Sequence, residues 1–307
     1  MWPDPGSIFN VIAAVPAETT PVGIEPTRIQ QTLMGIDQGC SAIALGLVIV
    51  IGVWWSARPD RASFGQESWR PNRVYEDSVA VAAAIYLSAA ALLSMLTSAL
   101  AAESESPVAT MFVGNGAQIV GLGACCVIAA RRFDGGIPRF LFGPFKSRPH
   151  ATTLMTIIVI LLALGICPLI RDATVALIHN VAPSHDFKPH TTLKALHEPG
   201  QPIAVVAALW VGAVVIAPLA EESFFRGLLQ TFLSNIIPNR WPAIALTSVA
   251  FGLIHFPQPH AIGALIVLGL LIGYAYERTG SLLVAAFIHA VFNLKTLVWV
   301  TLGSSTV

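Results

Sequence analysis

The chain has 307 residues, of which 55% are hydrophobic and 11% charged, with a formal net charge of zero and a mean hydropathy of +0.71. That balance excludes an ordinary soluble domain and fits a polytopic membrane protein, because so few charges cannot clothe so much apolar side chain in water. Zero net charge offers no field for a polyanion, so no nucleic-acid partner is expected.

In chain order, residues 1–37 read as an N-terminal tail, with an acidic start and an apolar run too interrupted for a signal peptide. Crossing a hydrocarbon layer of about 30 Å takes about 20 residues at 1.5 Å each, and suitable runs then recur. Helices are expected over 38–57, 77–101, 107–130, 151–170, 202–236, 241–256, 261–277 and 280–301. The fold class is therefore all-α, a polytopic transmembrane bundle of about eight helices. The first four make up a unit over 38–170, and a second unit covers 201–301. The sixth and seventh helices are short, which a bundle tolerates when neighbours satisfy their ends.

Arg58, Arg61, Arg70 and Arg73 in the first connection, and Arg131, Arg132, Arg139, Lys146 and Arg148 in the third, place both on the cytoplasmic side. Arg240 and Arg278 follow the same side. Both termini then lie outside, and Lys295 must snorkel outward. Within 131–150, the stretch FDGGIPRFLFGPFKSRP mixes Gly and Pro breakers with aromatics and bases, and so reads as an interfacial loop on the anionic inner leaflet. Residues 171–200 read as a polar loop. It carries His179, His185, His190 and His197 with Asp172 and Asp186, but lacks the i, i+4 pair or compact motif of a metal site. Cys40, Cys125, Cys126 and Cys167 lie in or beside apolar runs and read as small apolar residues. Residues 302–307 form a C-terminal tail.

The chemistry is concentrated in APLAEESFFRGLL, residues 217–229. A charged side chain at mid-bilayer costs about 2.5 to 3.5 kcal/mol on insertion scales, so Glu221, Glu222 and Arg226 require internal partners or water. Glu222 and Arg226 are four apart and share a helix face, whereas Glu221 turns away and stays available. Pro218 cannot donate to the Val214 carbonyl and should kink the helix, opening space beside the glutamates. Two further i, i+4 pairs follow, Phe251 with His255 in FGLIH and His289 with Asn293 in HAVFN. If the fifth and sixth helices form a hairpin, Glu221 lies about 15 residues before the turn and His255 about 14 after it. Both are then roughly 21 to 23 Å from that turn.

EESFFR resembles the EExxxR motif of the CPBP family, the CAAX protease and bacteriocin-processing (Abi) intramembrane endopeptidases. FGLIH resembles that family's FxxxH motif and HAVFN its HxxxN motif, in the expected order, over roughly Gln201 to Val300. The resemblance implies a conical, water-accessible catalytic cavity. It also implies hydrolysis of peptide bonds in membrane-associated or prenylated (CAAX-type) substrates. On that reading Glu221 is the general base, His255 helps hold the water, and His289 and Asn293 donate to the oxyanion. Glu222 and Arg226 form the supporting pair, with Phe251 packed beneath.

His255, His289 and Glu221 could alternatively hold one Zn2+. A metal-independent mechanism is favoured, because Asn293 suits an oxyanion hole better than a zinc sphere and no HExxH occurs. The expected setting is a multi-pass membrane protein, in the inner membrane if bacterial, whose partners are the bilayer and a membrane-associated peptide. Two other classes are open. A non-proteolytic scaffold or bacteriocin-immunity-type protein could use the same fold, and a proton-coupled transporter would show inverted repeats, of which none is evident.

Overall fold

The computed structural model describes residues 27–57, 74, 76–100, 107–143, 149–182, 196, 200–256 and 258–303. Nine helices and no strand occur among the described residues. They are α1 (Arg28–Ala57), α2 (Glu76–Leu100), α3 (Pro107–Arg132), α4 (Gly136–Phe142) and α5 (Pro149–Val181). Then come α6 (Ile203–Ile236), α7 (Arg240–Leu253), α8 (Pro259–Thr279) and α9 (Leu282–Gly303). All but α4 and α7 are long and apolar enough to cross a membrane, which makes seven candidate spans among the described residues and a multi-pass integral membrane protein.

Three helix ends differ from the sequence expectation by more than two residues, each for a physical reason. α1 begins at Arg28, inside the expected tail, after Thr27 accepts from Gln30 N through Oγ1 at 3.3 Å as a helix cap. α5 runs on to Val181 with Pro168 inside it. The charges that suggested a stop, Arg171 and Asp172, pair with each other at 2.8 Å, and the helix continues past them. His179 is thus helical, while His185, His190 and His197 lie outside the described residues. α7 stops at Leu253, so His255 sits in a turn rather than on the helix. Pro257 and Pro259 follow, and the residue before a proline is driven away from helical dihedrals.

Small residues bring the helices together, as they must where lipid supplies no hydrophobic drive between them. Gly269 of α8 lies against Ser248 of α7, and Gly252 of α7 against Ile262 and Ile266 of α8. Gly165 of α5 meets Cys40 and Ala44 of α1, and Ser41 Oγ donates to the Gly165 carbonyl at 3.1 Å. The main core gathers Phe140, Val159, Ala163, Leu228, Leu268, Ile272, Leu282 and Ile288 from α4, α5, α6, α8 and α9.

Where an interfacial loop is expected over 131–150, the described part is a short helix docked on the bundle. Phe140 of α4 is buried, crosses Phe133 edge to face at 5.1 Å, and abuts Gly227 of α6, where any Cβ would collide with its ring. Ser281 Oγ donates to the Leu141 carbonyl at 3.2 Å. Residues 144–148 of that stretch, residues 1–26 of the tail and 304–307 of the C-terminal tail lie outside the described residues.

Polar ties close the bundle at two places. Glu277 of α8 accepts from Gln230 at 2.8 Å and Ser234 at 3.3 Å of α6, and pairs with Arg240 of α7 at 3.3 Å. Lys295 of α9, expected to snorkel outward, has a partner on another helix. It pairs with Asp37 of α1 at 2.8 Å and lies over the Trp299 ring, whose Nε1 donates to Asp37 at 2.7 Å.

Candidate active site

The site forms where α6 departs from α-helical winding. Two π-helical stretches, Gly212–Ile216 and Ser223–Gln230, flank the glutamates. The first has a cause in the sequence. Ala217 N–H reaches back five residues to the Gly212 carbonyl, and the next rung would join Pro218 to Ala213, but proline has no N–H. Asn293 of α9 fills the gap, its Nδ2 donating to the Ala213 carbonyl at 2.9 Å. In this register the freed acceptor is Ala213, and one amide hydrogen of Asn293 is committed to it.

The adjacent acids face different surroundings. Glu222 is fully buried, with Arg226 Nε at 3.1 Å from its Oε2 and Arg226 NH1 donating to its Oε1 at 3.3 Å. The same Oε1 lies 2.9 Å from Nδ1 of His289. A carboxylate can only accept, so Nδ1–H donates and Nε2 becomes the outward atom of that ring. Nε2 turns toward Glu221, 4.0 Å from its Oε2, and the Glu221 side chain keeps 18% exposure. Arg226 is also fully buried, and it donates through NH2 to the Gly269 carbonyl at 3.2 Å. One acid is thus consumed in a closed cluster while its neighbour keeps an approachable face.

Phe251 is the hub between the histidines. Its buried ring has the Arg226 guanidinium at 4.9 Å, the His289 ring at 5.6 Å and the His255 ring at 5.2 Å. His255 Nδ1 lies 2.9 Å from the Phe251 carbonyl. A carbonyl accepts, so Nδ1–H donates, which leaves Nε2 for other partners. His255 joins the cluster through Phe251. Among the described residues no three His, Cys, Asp or Glu side chains converge as a metal set.

Sequence reasoning missed one neighbour. Gln118 of α3 donates from Nε2 to Glu221 Oε1 at 3.3 Å. Asn115, one helical turn earlier, packs against Gly212, whose missing side chain leaves it room. The available signal was an amide pair at i, i+3 within an otherwise apolar span. Chemically, the site offers a half-open carboxylate flanked by an amide donor and an imidazole nitrogen, set on a rigid buried ion pair.

Residues 203–295 match the family model described as type II CAAX prenyl endopeptidase Rce1-like. That segment contains Glu221, Glu222, Arg226, Phe251, His255, His289 and Asn293, and excludes Gln118. No curated protein and no solved structure gives a significant match to the chain.

Proposed function

We propose that the chain, whose residues 203–295 carry a domain of an intramembrane protease family, is an endopeptidase that cleaves membrane-associated or prenylated CAAX-type peptides with a water activated by Glu221. The observation that carries this reading is the division between the two acids. Glu222 is buried against Arg226 and His289, whereas Glu221 keeps an open face beside His289 Nε2. A general base needs a carboxylate that water can reach, and a fully paired one is of no use for that.

In the proposed step Glu221 takes a proton from water, the oxygen bonds to the scissile carbonyl carbon, and the carbonyl electron pair moves onto oxygen. His255 helps hold the water, with no claim on either of its hydrogens. Donation to the oxyanion comes from the second amide hydrogen of Asn293 and from Nε2 of His289 in its doubly protonated form. Glu221 then passes its proton to the leaving amine as the C–N bond breaks. Glu222 and Arg226 keep His289 in register, and Phe251 sets the spacing of both histidines.

The test is cleavage of a prenylated CAAX peptide and of a membrane-peptide library by detergent-purified wild type and Glu221→Gln. Loss of cleavage in the variant supports the reading, and the preferred peptide reports the substrate class. A cellular phenotype that survives substitution of Glu221, His255 and His289 would instead favour the scaffold or immunity-type role. Elemental analysis of protein purified without added metal tests the metal question. Stoichiometric zinc that disappears in His255→Ala would overturn the metal-independent reading.

A further inference from the structure

Glu221 is held from outside the family-matched segment. Its partner Gln118 stands on α3, and Nε2 donates to Glu221 Oε1 at 3.3 Å. Because a carboxylate offers only lone pairs, the amide must turn its nitrogen to Glu221, which fixes where its carbonyl oxygen points. That oxygen is buried and has no hydrogen-bond partner among the described residues. An orphaned amide oxygen is costly in a membrane protein, and here it lies on the same side chain that grips the half-open carboxylate. An acceptor beside a general base, with nothing yet to accept, suits one hydrogen of a water whose other hydrogen faces the base.

We propose that Gln118 is a positioning residue for hydrolysis, holding Glu221 through Nε2 and accepting a hydrogen bond from the attacking water on Oε1. The inference rests on the peptidase reading above. One water O–H bond breaks toward Glu221, the other stays directed at Gln118, and a lone pair of the oxygen is left aimed at the scissile carbon. Gln118 itself is chemically unchanged. The active site is then completed by the N-terminal helices, and the matched segment alone lacks one of the groups that orient the water.

Gln118→Met keeps side-chain length and helix propensity while removing both polar atoms. On a peptide that the wild type cleaves, its kcat should fall about 10- to 100-fold, with KM within about twofold and an unfolding midpoint within a few degrees. If Gln118→Met fails to accumulate, Gln118→Asn carries the same test, since its amide falls one methylene short of Glu221. A kcat within twofold of wild type overturns the proposal, as does a loss of kcat that only tracks a fall in the unfolding midpoint. If the wild type cleaves nothing, the peptidase reading fails separately. The hold on Glu221 is then read from infrared difference spectra of wild type against Glu221→Gln. The Glu221 carboxyl band should shift in Gln118→Met, and an unshifted band overturns the contact.

Discussion

At the residue scale, Glu221 and Glu222 differ by one peptide unit, yet one lies in a closed ionic cluster and the other at its open edge. Removing one member of a buried pair leaves the other uncompensated, typically at about 3 to 5 kcal/mol, whereas replacing both with apolar groups costs far less. Arg226→Met is therefore expected to lower the unfolding free energy by about that amount, with much of it regained in the double variant Glu222→Leu/Arg226→Met. Denaturation in detergent measures both. Equal losses in single and double variants would mean that the pair does not act as a unit. The charges were legible in the sequence because they are expensive in lipid. The bond from His289 to Glu222 was not, since the pairing of residues 67 apart depends on how α9 packs on α6. Gln118 was hidden for a similar reason: a neutral amide costs too little in an apolar helix to stand out.

At the element scale, the consequential feature is the π-helical start of the catalytic turn of α6. Pro218 removes a rung and Asn293 replaces it from another helix, so the two residues are coupled through the Ala213 carbonyl. Asn293→Leu should cost about 1 to 3 kcal/mol by orphaning the Ala213 carbonyl. Adding Pro218→Ala supplies an N–H and should regain a substantial part of that loss. If Pro218→Ala gives no rescue in equilibrium denaturation, the orphaned carbonyl is not the cause. Helix existence could be read from apolar runs of sufficient length, but helix ends could not. Arg171 and Asp172 looked like a boundary from composition and became a neutral pair on a continuing α5. The early end of α7 was signalled by Pro257 and Pro259, yet two apolar residues before them extended the expected run.

At the scale of the whole molecule, the helices preceding the family-matched segment are tied to it by a few polar contacts. α1 is joined to α9 by Asp37 with Lys295, and α3 reaches Glu221 through Gln118. Asp37→Asn should loosen α1, read as faster hydrogen exchange along α1 and a lower unfolding midpoint. Asp37→Leu/Lys295→Met should recover most of the midpoint; failure of the double variant to recover would show that the helix is held by packing alone. The apolar architecture was legible from composition. The ties were not, because Asp37 sat in a presumed tail and Lys295 had no visible partner along the chain.

Turnover and unfolding midpoint measured together in Glu221→Gln separate a working Glu221 from a supporting Glu222. Turnover should be at least about a hundredfold lower, with a midpoint close to wild type, because Glu221 is half-open and outside the buried cluster. Wild-type turnover in Glu221→Gln would contradict that division of roles.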